Sequence, residues 1–276
     1  MFPACVHLGG FNLKQRIVTG VIAGLVFITL LVLGGYWYAG LIVLLSIIGY
    51  REYIQMNGFT KYKLTAAVAL ISLLFLTVPW EAFGGSLPVS STAIIWLTMF
   101  VLLFITVASK NTITIDQVST ILLGVIYIGF GFNYMIAARL MEHGLFWSIV
   151  VFVCIWASDS GAYFVGSKLG KHLLWPQISP KKSIEGAVGG VVISMIAALG
   201  FALYAPDLLG FGKALVLGFI IAVVGQVGDL IQSAYKRVKG IKDTGTLLPG
   251  HGGVLDRMDS WLIVFPFIHW LGILTH

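Results

Sequence analysis

Three polar side chains interrupt an apolar run in the C-terminal part of the chain: Asp229, Ser233 and Lys236, in VGDLIQSAYKR. Spacings of four and three put a carboxylate, a hydroxyl and an ammonium on one face of a helix. Such a stripe is costly against lipid, and in a polar cleft it holds phosphate or a cation. The next segment, VKGIKDTGTLLPGHGGVLDRMD, carries the complementary parts. Gly250, Gly252 and Gly253 let backbone come close to a ligand. His251 and Arg257 donate hydrogen bonds to phosphate oxygens. Asp256 and Asp259, three apart, share a face if a helix begins near them. Oxygen-only ligands favour magnesium over zinc, whose usual Cys and His spacing is missing. The plainer reading of DRMD is a charged helix start, and of a lone histidine a structural one.

A second cluster lies upstream. ASDSGAY places Asp159 between two serines inside an apolar stretch, where a carboxylate near the bilayer centre costs about 2.5 to 3.5 kcal/mol. Function is one explanation, and a hydrogen-bonded packing group is the other. Tyr163 and Gly166, at i+4 and i+7, share its face. In the following loop, GSKLGKHLLWPQISPKKSIEG, Ser179 and Pro180 read as an N-cap and first-turn pair, which puts Lys181, Lys182 and Ser183 in a helical first turn. Free N–H groups and ammonium groups there would receive phosphate. A cytoplasmic lysine cluster alone also serves simply as a topology signal.

These residues must be positioned by membrane helices. Of 276 residues 58% are hydrophobic and 10% charged, against roughly 25% charged in a soluble domain, and mean hydropathy is +0.97. Apolar runs near the roughly 20 residues of a helical span recur along the whole length. We expect an all-α, polytopic membrane protein with about nine spans, at 16–34, 36–50, 64–79, 92–108, 118–138, 145–165, 186–205, 213–233 and 260–275. Residues 1–140 would form the N-terminal membrane helices. Residues 141–276 would add the C-terminal helices and the cytoplasmic loops with the site, all in one integrated domain. With the N-terminus cytoplasmic, only Arg139 and Lys213 of the 17 Lys and Arg residues fall outside, so the loops 166–185 and 234–259 face the cytoplasm of the cell (inner) membrane and His276 lies outside. Lys14 and Arg16 before the first run suit a retained signal anchor. The charge of +6 follows the inner membrane face and suits anionic lipid, so no nucleic-acid partner is expected. Cys5 and Cys154 suggest no disulfide framework.

The run from Ser233 to Asp259, SAYKRVKGIKDTGTLLPGHGGVLDRMD, resembles the signature of the phosphatidate cytidylyltransferase family. The agreement includes Ser233, Lys236, Arg237, Lys242, Asp243, Gly245, His251, Gly252, Gly253, Asp256, Arg257 and Asp259. DSGAY at 159–163, GKHL at 170–173 and ISPKKS at 178–183 extend it over roughly the C-terminal 120 residues. Tyr235 stands where the family has an aliphatic residue. Ser167 stands in place of a basic residue, with Lys168 beside it as a substitute, and Ser183 in place of threonine.

The resemblance implies that a phosphatidic acid oxygen attacks the α-phosphorus of CTP, giving CDP-diacylglycerol and pyrophosphate. On that basis Asp229, Asp256 and Asp259 are expected to hold Mg2+, and Asp229, Lys236, Arg237, Lys242, Asp243, His251 and Arg257 to form the catalytic surround. Asp159, Lys168, Lys171, Ser179, Lys182, Ser233, Gly252 and Gly253 are expected to bind substrate. Membrane lipids, and by family likeness a second copy in a homodimer, are the expected partners. An ion or solute transporter using Asp159 and Asp229 is the alternative from another class. It leaves the glycine-rich basic loop without a role. The DxxDGxxAR pattern of CDP-alcohol phosphotransferases is missing, since Asp256 and Asp259 are followed by Ser-Trp.

Overall fold

The computed structural model describes residues 13–85, 89–245 and 252–272. His251, Gly250, His276 and Cys5 lie outside the described residues. The described chain forms nine α-helices: α1 (Leu13–Leu33), α2 (Gly35–Met56), α3 (Lys63–Thr77), α4 (Ser91–Ala108), α5 (Ile115–Leu140), α6 (Gly144–Leu169), α7 (Ile184–Tyr204), α8 (Phe211–Lys239) and α9 (Leu255–Trp270). Each expected span is a helix. Helical backbone closes its own hydrogen bonds, which lipid cannot provide. Six of the nine, α2 and α4 to α8, are long and apolar enough to cross a membrane.

Local sequence explains several ends. Gly34, at φ 65°, breaks the chain between α1 and α2, a conformation that favours glycine. Arg139 fills the space there and donates to Leu31 O and Val32 O. Ser90 caps α4 through the Ala93 N–H. Thr114 and Gln117 form a capping box on α5. Gly240, left-handed at φ 67°, ends α8.

Two departures from the sequence reading matter. First, the segment after α6 is a two-stranded antiparallel hairpin, β1 (Leu173–Trp175) and β2 (Ser179–Ser183), with Leu173 opposite Ser183. Ser179 and Pro180 therefore do not open a helix. The working cap is Ser183, whose hydroxyl accepts the Gly186 N–H at 3.1 Å, and Pro180, which has no N–H, is tolerated in a two-stranded edge. Glu185 straps the hairpin to α7, accepting from the N–H groups of Lys171 and His172 and meeting His172 Nδ1 at 2.6 Å. Second, α2 runs on to Met56 and so carries Glu52 into the interior.

The helices pack in a continuous chain of neighbours, α6 on α7, α7 on α8, α8 on α9, α9 on α5, and α5 on α2 and α3. Glycines set the closest approaches. A Cβ on Gly228 would stand 2.8 Å from Asp259 O, and one on Gly190 2.7 Å from Ser158 O. The first brings α8 against α9 beside Asp229 and Asp259. The second brings α7 against α6 beside Asp159. An aromatic cluster joins α1, α6 and α9, with ring centroids 5.2 Å apart for Phe27 and Phe152 and 4.7 Å for Phe152 and Trp261. The outer faces are apolar: Trp96, Phe100, Phe104 and Val107 of α4 are all exposed, as lipid-facing side chains must be.

Candidate active site

A cavity of about 1070 Å³ opens between α1, α2, α6, α7, α8, α9 and the hairpin. One part of its wall is charged: Lys181 and Lys182 from β2, Asp159 from α6, Asp229 from α8, and Asp256, Arg257 and Asp259 from α9. The other part is apolar, formed by the Gly20, Ala23 and Phe27 face of α1 with Leu41, Trp156 and Trp261. Tyr163 and Gly166 line it together with Asp159, in agreement with their shared helical face. Extended backbone in β2 brings both lysines to the wall, although not by the helical turn that the sequence suggests.

Asp229 is held from two sides. Lys182 Nζ lies 2.5 Å from its Oδ2, and Ser233 Oγ donates to its Oδ1 at 3.3 Å. The expected stripe on α8 therefore forms, with Lys236 further along the same helix paired to Asp256. Asp159, Asp229 and Asp259 feel one another's charge, opposed by Lys182 and Lys236. Gln226 Nε2 donates to Ala187 O at 3.1 Å and to Ser158 Oγ at 3.4 Å, fixing α6, α7 and α8 around these carboxylates.

Asp256 is placed differently from its neighbour Asp259. Its Oδ1 receives Lys236 Nζ at 2.7 Å. Its Oδ2 accepts the N–H groups of Thr244 at 2.7 Å and Gly253 at 2.9 Å, and faces Thr244 Oγ1 at 3.0 Å. Both oxygens are thus engaged by protein donors. Asp259 is engaged at Oδ1 alone, by the Ser260 N–H, and Asp159 accepts no hydrogen bond among the described residues.

Other expected site residues lie further off. Arg237 Nε donates to Ile178 O at 3.1 Å, anchoring α8 to the hairpin outside the cavity wall. Lys168, Lys171, Ser179, Ser233, Lys236, Lys242 and Asp243 do not line the cavity. Ser167 does, but its hydroxyl donates to Phe164 O, and Lys168 does not take its place there. Gly252, at φ 83°, and Gly253 pack between the carboxylates of Asp243, Asp256 and Glu52. Tyr235 bonds to Tyr53 Oη at 2.9 Å and to Asn57 Oδ1 at 3.0 Å, tying α8 to α2.

The donor set suits a hard divalent cation. Among the described residues no three His, Cys, Asp or Glu side chains form a ready-made metal cage. Magnesium does not need one, since it uses one or two carboxylates and completes its shell with water and substrate phosphate. Asp229 and Asp259, with Asp159 close by, supply carboxylate oxygens from three helices on one wall.

A model of the Cytidylyltransferase family matches residues 14–274. The chain belongs to that family. It is 42% identical over 262 residues to the phosphatidate cytidylyltransferase of Bacillus subtilis (strain 168), covering 94% of this chain and 97% of that protein. The enzymes of the same name from Staphylococcus haemolyticus (strain JCSC1435) and Staphylococcus aureus (strain COL) are 36% and 34% identical over 257 residues, each covering 93% of this chain and 98% of the relative. The cytidylyltransferase match includes the N-terminal helices, beyond the C-terminal motifs legible by eye. Glu52, in that N-terminal part, reaches the motif loop and has no signal in the local sequence: it reads there as one more polar residue at the end of a span.

Proposed function

We propose that this chain transfers CMP from CTP to phosphatidic acid, forming CDP-diacylglycerol and pyrophosphate. The observation that carries the reading is a single cavity with a charged wall for phosphates and an apolar wall for acyl chains. A nucleotide and a lipid phosphate can meet there without the lipid leaving an apolar surface. Neither the family nor the named relatives point toward transport through Asp159 and Asp229.

In the transfer, an oxygen of the phosphatidate phosphate forms a bond to the α-phosphorus of CTP. The bond from that phosphorus to the oxygen bridging the α- and β-phosphates breaks, and pyrophosphate carries away the electron pair. Such chemistry asks for alignment and charge neutralisation. Lys181, Lys182 and Arg257 lower the repulsion between the two anionic substrates. Lys182, paired with Asp229, is placed to exchange that partner for phosphate. Asp229 and Asp259, with Asp159, would hold Mg2+, which when bound neutralises triphosphate charge. Asp256 fixes Lys236, and the Gly253 N–H in turn fixes Asp256.

The distribution of Lys and Arg supports a cytoplasmic position for the hairpin and the α8–α9 loop, where CTP is available. A label at Gly240 reacting only from the outside would contradict that orientation. The functional test is competition between CTP and ATP with phosphatidic acid in the purified protein. CTP should be consumed in preference, and equal use of ATP would reject the cytidylyl assignment.

A further inference from the structure

Glu52 is 4% exposed and has no ion-pair partner among the described residues, yet it lies against Thr244, Gly245, Gly253 and Val254 of the motif run. Its Oε1 accepts the Val254 N–H at 2.9 Å, and its Oε2 accepts the Leu255 N–H at 3.0 Å. Thr244 Oγ1 lies 3.1 Å from Glu52 Oε2 and 3.0 Å from Asp256 Oδ2, so the hydroxyl sits between the two carboxylates and its one proton donates to one of them at a time. A buried carboxylate is tolerated where donors satisfy it. Here they are the unpaired N–H groups where α9 begins, which also favour negative charge. Two motif glycines are explained by the same side chain. A Cβ on Gly253 would stand 2.4 Å from Glu52 Oε2, and one on Gly245 2.5 Å from Oε1.

We propose that Glu52 is a positioning residue for the transfer reaction, an internal clamp from α2 that holds Thr244 and the start of α9 and so fixes Asp256 on the cavity wall. The inference rests on the cytidylyl-transfer reading. Glu52 is too enclosed to touch substrate, and it acts through Thr244, Gly253 and Asp256. Glutamine at 52 keeps one carbonyl acceptor but turns an NH2 group toward a backbone N–H, so one end of the clamp is lost.

The test is Glu52→Gln in the full-length protein, read by steady-state kinetics and by hydrogen exchange at Val254 and Leu255. Turnover should fall by about ten- to a hundredfold, as misplacement of catalytic groups does, with KM for phosphatidic acid unchanged. The two amides should exchange faster while those in the middle of α9 keep their protection. In an Asp256→Asn background, Glu52→Gln should add little further loss, because both act through one unit. Thr244→Val, which removes the shared hydroxyl at similar volume, should reproduce the turnover defect and carries the comparison if Glu52→Gln fails to fold. Wild-type kcat in the folded variants, or losses that multiply independently with Asp256→Asn, would overturn the proposal. If the wild-type protein made no CDP-lipid, the functional reading would fail, and unchanged exchange at Val254 and Leu255 would separately refute the clamp.

Discussion

Lys182 Nζ lies 2.5 Å from Asp229 Oδ2, so the strand leading into α7 is pinned to the polar face of α8. The two side chains are 28% and 34% exposed, and a pair so open to solvent adds at most about 1 kcal/mol to stability. Its consequence is therefore electrostatic, since Lys182 supplies positive charge beside the carboxylates of Asp159 and Asp229.

Lys182→Met should lower turnover by about a hundredfold, the scale of losing one preorganised charge donor, with little change in thermal stability. Lys182→Arg should retain part of the activity. Kinetics with a thermal melt on the same preparations checks both, and a destabilised Lys182→Met protein with normal turnover would assign the pair a structural role.

Asp256→Asn and Asp259→Asn should fail in different ways. Asp256 faces Lys236 with side chains 4% and 18% exposed respectively, so removing one partner costs about 3 kcal/mol or more and should lower the melting temperature along with turnover. Asp259→Asn should leave stability nearly intact and raise the magnesium concentration needed for half-maximal turnover. A magnesium titration of both variants decides this, and an unchanged curve for Asp259→Asn would remove that carboxylate from the metal site.

Gly228→Ala should separate the carboxylates without altering any charge. The new Cβ would meet Asp259 O at 2.8 Å and Ser260 Cα at 3.0 Å, a backbone clash costing about 1 to 3 kcal/mol. Gly200→Ala is the control, because nothing lies within 4 Å of a Cβ there. Reduced stability and turnover are expected for Gly228→Ala alone, measured by melting and by activity at saturating magnesium.

The nine helices were legible because each apolar run has to close its own hydrogen bonds in lipid. The stripe from Asp229 through Ser233 to Lys236 is legible because helical spacing is local. Lys182 is expected in the site from the sequence but on the wrong backbone: Ser179-Pro180 and Ser183 are competing helix starts, and the structure uses Ser183, with Glu185 bonded to the residues before β1. Asp256 and Asp259 look equivalent in DRMD. They diverge because Thr244, Gly253 and Lys236 converge on one and not the other. Glu52 was invisible for the same reason, since its partners lie about two hundred residues away in sequence.

The most direct measurement of the central claim is the fate of labelled phosphorus when the purified protein is given phosphatidic acid, magnesium and CTP labelled at either the α or the γ position. Transfer of CMP predicts α-label in a lipid-soluble product and γ-label in pyrophosphate, released one for one. Label from the γ position in lipid, or CTP consumption with no labelled lipid, would contradict it.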